Sequence, residues 1–123
     1  MASRLRFIKH PLHGALDLVV DASLAGLAVA AWWTGASAAA IVLPGLIALA
    51  NLTYSAMTRF ALGRNHLISF RIHLALDALA GVVLVAGAAV LPESELYRVA
   101  MAALGVGILG AVAVTDPEVE LDG

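Results

Sequence analysis

Two short segments hold most of the acid–base and ligand chemistry that this chain could perform: HGALD at 13–17 and HLALD at 73–77. Each sets an imidazole and a carboxylate four residues apart, so on a helix His13 stacks with Asp17 and His73 with Asp77 on one face. Such a pair can share a proton, pass one on, or join in ligating a borderline divalent cation. Asp21 extends the first series by another turn, about 12 Å further along the axis than His13. His13, Asp17, Asp21, His73 and Asp77 are therefore the candidate proton or cation site. Asn51, Thr53 and Tyr54 are the candidate lining of any cavity beside it, with Ser55 and Ser23 as further hydrogen-bonding partners and Arg71 as a cation able to snorkel to the headgroups or pair with Asp77.

The elements that must position these groups are oily. Of 123 residues, 62% are hydrophobic and only 13% charged, against roughly half and a quarter in soluble domains. So small a soluble protein has too much surface to cover with so few polar groups. Four segments reach the roughly 20 apolar residues that cross a bilayer core: 12–33, 37–57, 70–91 and 96–115, followed by an acidic tail at 116–123. The expected fold is an all-α bundle of four transmembrane helices in one domain, with linkers short enough to make successive helices antiparallel. Arg4, Arg6 and Lys9 precede the first span, and Arg59, Arg64 and Arg71 flank the middle loop. Only Arg98 stands at the other end, beside Glu93 and Glu95. This bias places both termini in the cytoplasm and Trp32 and Trp33 at the outer interface. The basic start, apolar run and ASAAA segment imitate a secretory signal, but the run is long for one and carries Asp17 and Asp21 within it. It reads as a retained span.

The two His-x3-Asp segments lie sixty residues apart and agree at four of five positions. A looser echo joins GLIALANLT at 45–53 to GILGAVAVT at 107–115. The pattern reads as two helical hairpins from one duplicated unit, parallel to each other about an axis along the membrane normal. Bringing both repeat faces to that axis would gather His13, Asp17, His73 and Asp77 around one point, a set that suits Zn²⁺ or a similar ion. Alternatively each histidine bonds its own aspartate one turn on. Bis-histidine haem ligation fits less well, since both imidazoles fall near the membrane edge. Pro44 predicts a kink in the second span, tolerable because neighbours can satisfy the freed backbone. Gly45, Ala48 and Ala50 in the second span and Gly105, Gly107 and Gly110 in the fourth favour close helix packing. His10 and His66 read as solvated flanks.

With no cysteine, disulfides and thiol chemistry are excluded, and a net charge of −2 with no basic patch argues against nucleic acid. There is no phosphate loop, nucleophile elbow or metalloprotease motif, so an enzyme is not expected, nor a cofactor other than a metal ion. The two His-x3-Asp openings, with Thr58, Phe60 and Gly63 at the exit of the second span, resemble the small bacterial integral membrane proteins of the SPW-repeat type. AAWWTG and AVLPES stand where that family carries Ser-Pro-Trp. The resemblance implies a four-helix fold in a bacterial inner membrane and no established activity. Three functions stay open: a membrane module whose His/Asp pairs serve packing and assembly, a proton- or cation-coupled small transporter, and a metal-binding protein. The expected partners are the lipid bilayer and further copies of the chain, because four short helices enclose a polar pathway poorly.

Overall fold

The structure, a computed structural model, describes residues 5–58 and 67–118. Arg4, Arg59, Phe60, Gly63, Arg64, His66 and the last five residues of the acidic tail lie outside the described residues. Among the described residues four helices form a bundle: α1 (His10–Trp33), α2 (Ala38–Ala56), α3 (Phe70–Val90) and α4 (Glu95–Val114). All four are long and apolar enough to cross a membrane. The chain is thus built as a multi-pass membrane protein.

Local chemistry sets the ends. Pro11 occupies the first turn of α1, where its missing N–H would have no intrahelical partner. This carries the helix two residues further toward the N-terminus than hydropathy alone suggests. At the other end Ala36 N–H bonds Ala31 C=O and Gly35 N–H bonds Trp32 C=O. That closure needs a left-handed residue, and Gly35 supplies it at φ 72°. Ser37, Ser69 and Ser94 cap α2, α3 and α4, each hydroxyl accepting the backbone N–H three residues on. Arg98 donates from its guanidinium to the Ala88 and Ala89 carbonyls at the end of α3, at 2.7 and 3.2 Å. Arg98, at the end of the bundle opposite the termini, therefore caps a helix.

Helix α2 continues through Pro44, whose ring is buried. Proline lacks the N–H that would reach the carbonyl four residues back, here that of Ala40. The hydroxyl of Tyr97 in α4 donates to that carbonyl at 2.6 Å, so one hairpin satisfies a backbone group that the other leaves open.

The main packing is within hairpins, α1 on α2 and α3 on α4. Leu24, Leu84 and Met101 form the fully buried centre. In the second hairpin the backbones touch: a Cβ on Gly105 would meet the Gly81 carbonyl oxygen at 2.8 Å, and one on Gly81 would meet the Gly105 oxygen at 3.0 Å. The other small residues behave differently. Gly45 has only Ala28 nearby, at 3.8 Å, while Gly107 and Gly110 face open space. Among the described glycines, backbone-to-backbone approach is confined to this crossing; a Cβ on Gly87 would meet the Leu43 and Met101 side chains at 2.8 and 3.0 Å. The outward surface is almost wholly Leu, Val and Ala, and Trp32 and Trp33 stand exposed at the end of α1.

The end that carries the termini is tied by two matched backbone contacts. Ile8 pairs with Thr115 and Ile68 with Thr58. Ile8 N–H bonds Val114 C=O at 3.1 Å, and Ile68 N–H bonds Met57 C=O at 3.1 Å. The entry to each odd helix is thereby fastened to the exit of the even helix of the opposite hairpin or its own loop partner: α1 to α4, and α3 to α2.

Candidate functional site

Helices α1 and α3 each turn a His-x3-Asp face toward the other. His13, Asp17, His73 and Asp77 meet in one cluster, buried to between 0 and 8% exposure, with one ligating atom from each within 4.8 Å of all the others. The shortest contacts cross between helices. His13 Nε2 lies 2.7 Å from Asp77 Oδ2, and His73 Nε2 lies 2.7 Å from Asp17 Oδ2. Within each helix the separations are longer, 3.5 Å for His13 and Asp17 and 3.3 Å for His73 and Asp77. A local pairing of each histidine with its own aspartate is therefore not the arrangement, because an i, i+4 spacing only brings the groups to the same face. The facing helix supplies the better-aligned acceptor.

The other ring nitrogens are fixed by two threonines. His13 Nδ1 is 2.9 Å from Thr115 Oγ1, and His73 Nδ1 is 2.9 Å from Thr58 Oγ1. Each hydroxyl gives its single proton to a helix carbonyl: Thr115 to Ala111 at 2.5 Å, and Thr58 to Tyr54. The threonine oxygen must then accept from the imidazole, so both Nδ1 atoms carry hydrogen. Both Nε2 atoms consequently face carboxylate oxygens, and each short Nε2–Oδ2 contact requires one proton between them. Tyr54 completes the shell by donating its hydroxyl to Asp77 Oδ1 at 2.5 Å. Edge-on ring contacts pack the group: His13 with His73 at 5.6 Å, Tyr54 with His73 at 5.0 Å, and Phe70 with His13 at 5.5 Å.

Asp21 lies one turn beyond Asp17 and is also buried, 4% exposed. Asn51 Nδ2 donates to its Oδ1 at 2.8 Å, and Ser55 Oγ donates to Asn51 Oδ1 at 3.1 Å. Oδ2 of Asp21 is buried and has no hydrogen-bond partner among the described residues.

Three expected partners are placed elsewhere. Thr53 is exposed and bonds back to the Leu49 carbonyl. Two residues from Asn51, it lies about 200° around the helix and cannot line the interior. Ser23 likewise bonds the Val19 carbonyl from an exposed face. Arg71 pairs with Glu118 at the surface, since six residues place it about 240° around α3 from Asp77. His10, partly buried, stands edge-on to Phe70 at 6.3 Å instead of being fully solvated. Tyr54 does border an apolar groove of about 240 Å³ between α2 and α3, walled by Ile47, Leu76, Leu79 and Val83. A larger cleft, about 520 Å³, opens at the far end near Thr34, Glu93 and Tyr97. Neither groove nor cleft is lined by a member of the quartet.

Thr58 and Thr115 are the functional residues that sequence reasoning missed as histidine partners. The signal was available in the helix caps. Ser37 and Ser94, like Thr58 and Thr115, are fifty-seven residues apart, whereas the echo of 45–53 with 107–115 slides the comparison by five and matches Thr53 to Thr115. The hydrogen bonds set Thr58 against Thr115. Comparison with protein-family models, with characterised proteins and with solved structures finds no match to the chain.

Proposed function

We propose that this is a four-span protein of a bacterial inner membrane, without enzymatic chemistry, in which the His–Asp quartet is a polar clasp joining two hairpins descended from one duplicated unit. The observation that carries the reading is the crossing of the two shortest bonds, His13 to Asp77 and His73 to Asp17, each between helices of different hairpins. Lipid tails are as apolar as leucine, so no hydrophobic force drives helices together within a bilayer. Directional bonds between the hairpins supply an attraction that apolar surface cannot. Duplication is supported by the matched pairs Ile8/Ile68, His13/His73, Asp17/Asp77, Leu24/Leu84, Ser37/Ser94 and Thr58/Thr115. The same two His-x3-Asp segments carry the proposed kinship with SPW-repeat proteins. Orientation with the termini in the cytoplasm is supported by Arg6, Lys9 and Arg71 at the quartet end, against Arg98 at the other.

The test is unfolding of the full chain in mixed detergent with rising sodium dodecyl sulfate. An Asp17→Asn, Asp77→Asn double variant is expected to unfold at a clearly lower fraction of the denaturing detergent. An unchanged midpoint would refute the clasp. Self-association belongs to the same proposal, with the outward-facing Gly107 and Gly110 of α4 as its support; mass spectrometry from gentle detergent returning only monomer would remove it.

One observation favours a second reading, proton- or cation-coupled transport. Among the described residues Asp21 Oδ2 is a buried polar atom without a hydrogen-bond partner, which leaves that oxygen open to a proton or a cation. Proton-driven uptake into liposomes that is lost in Asp21→Asn would establish transport. If that variant changes only the unfolding midpoint, the clasp reading stands alone.

A further inference from the structure

We propose that the quartet is a closed binding site for one divalent transition-metal ion of borderline softness, Zn²⁺ being the best fit, held by Nε2 of His13 and His73 and one carboxylate oxygen each of Asp17 and Asp77. The inference rests on the clasp reading and names what else closes it.

Four features converge. The donor set is two imidazoles and two carboxylates, which suits Zn²⁺ and its neighbours and suits Mg²⁺ or Ca²⁺ poorly, since those ions want six or more oxygens. The spacing is close to what is needed: metal–ligand bonds of about 2.0–2.2 Å in a tetrahedron place donors about 3.4 Å apart. One Nε2–carboxylate separation, His73 to Asp77 Oδ2, is already 3.3 Å, and His13 lies 3.5 Å from Asp17 Oδ1, the oxygen that His73 leaves unbonded. The two hydrogen-bonded ones, at 2.7 Å, need to open by about 0.7 Å, roughly the flexing of two side chains.

The outer shell is that of a metal centre. A ligating histidine usually gives its other N–H to a fixed acceptor. Thr115 and Thr58 are such acceptors, each anchored to a carbonyl on its own helix. They aim Nε2, and not Nδ1, at the centre. Tyr54 holds Asp77 by Oδ1 and leaves Oδ2 to the centre.

Charge also balances. Two neutral imidazoles and two carboxylates sum to −2. In a low-dielectric interior that charge must be cancelled, by two bridging protons or by one divalent ion. Binding is an exchange: the ion enters, two Nε2–Oδ2 bridges open, four metal–ligand bonds form, and both protons leave. A monovalent cation would cancel only half of the charge.

The full chain, purified in detergent and stripped with chelator, is titrated with Co²⁺ as a visible probe. Expected is a saturable ligand-field absorption of the intensity typical of four-coordinate Co²⁺, at about one ion per chain, abolished by Zn²⁺ and untouched by excess Mg²⁺. About two protons are released per ion in weak buffer. Thr58→Val and Thr115→Val keep all four donors and are expected to weaken binding about 10–100-fold; His73→Gln is expected to remove it. Should His73→Gln fail to fold, the wild-type titration and the threonine variants decide. Absence of a saturable band in the wild type, or unchanged affinity in both threonine variants, overturns the metal site. The metal-free unfolding measurement on Asp17→Asn, Asp77→Asn reads the clasp separately. A clasp that holds while Co²⁺ fails to bind refutes only the metal.

Discussion

The crossed pairing makes a prediction that an ordinary i, i+4 pairing does not. His13 should couple more strongly to Asp77, sixty-four residues away, than to Asp17 on its own helix. At an effective dielectric of about 20, unit charges at 2.7 Å attract by about 6 kcal/mol and at 3.5 Å by about 5 kcal/mol. Coulomb attraction alone therefore separates the two pairs by only about 1 kcal/mol. A charge-assisted hydrogen bond adds about 1.5–3 kcal/mol, and the 2.7 Å contact has it while the 3.5 Å contact does not. Bonds between membrane helices measure lower, about 0.6 kcal/mol on average and at most about 1.7, because the unfolded chain in detergent also finds partners. Balancing these, the coupling for His13 with Asp77 should exceed that for His13 with Asp17 by about 1–2 kcal/mol. Two double-mutant cycles answer this, His13→Gln with Asp77→Asn and His13→Gln with Asp17→Asn, read from unfolding free energies in mixed detergent. Within one network only such cycles apportion the energy. Equal couplings, or a larger one to Asp17, would refute the crossed geometry and with it the clasp.

Other measurements follow from the fold. Tyr97→Phe strands the Ala40 carbonyl that Pro44 leaves open and should cost about 1–2 kcal/mol; a Pro44→Ala background, which restores the N–H, should shrink that cost, and an equal cost in both backgrounds would break the link. Gly105→Ala drives a methyl to 2.8 Å from the Gly81 oxygen, a backbone atom with little room to give, and should destabilise by about 1–3 kcal/mol, whereas Gly107→Ala, facing open space, should be neutral or mildly stabilising. At the surface, the backbone N–H of Glu118 and then the Lys9 ammonium hold the Asp116 carboxyl below the usual carboxylate range. A lowered carboxyl stabilises the folded chain above its unfolded value, about 4, and loses that contribution as pH falls through the folded one. The unfolding midpoint of Lys9→Met should accordingly fall less than that of the wild type on acidification, and parallel pH profiles would count against the tether.

How legible this was in the sequence depends on which physical signal carried each feature. Hydropathy located all four helices to within about two residues, because crossing a bilayer sets a minimum length that few other structures need. The two His-x3-Asp faces were equally plain, since the helical period alone stacks the pairs. Which aspartate each histidine bonds was not, for the same period serves both answers and only the approach of α1 to α3 separates them. Thr58 and Thr115 were hidden by an alignment drawn through Ala- and Leu-rich residues, where a slip of five costs nothing. The cap serines, which mark helix starts by a specific bond, carry the register that composition lacks. Of the two expectations for Arg71, pairing with Asp77 fails because six residues on a helix point away from each other, and the exposed guanidinium pairs with Glu118 at the surface.

On the proposed duplication, one position of the repeat has been put to opposite uses in the two hairpins. Sixty residues on from Asp21 stands Gly81, and fifty-seven on from Ala48 and Asn51 stand Gly105 and Ile108. In the second hairpin Gly81 and Gly105 bring the backbones of α3 and α4 into contact, with Ile108 buried in the core beside them. In the first, the same level holds a carboxyl and its amide partner, with one carboxyl oxygen that has no hydrogen-bond partner among the described residues. A close glycine crossing already joins helices through dispersion and needs no polar group. An aspartate at mid-span costs about 2.5–3.5 kcal/mol on insertion scales, and one bond to Asn51 does not offset that in full. If Asp21 served only to join α1 to α2, an Asp21→Gly, Asn51→Ile chain, rebuilt on the second hairpin's pattern, should be at least as stable as the natural one and should keep every property of the protein. A rebuilt chain that unfolds later but loses uptake or metal exchange would assign Asp21 to traffic with the quartet one turn away. One that loses nothing would show Asp21 dispensable and leave the proposed function with the quartet.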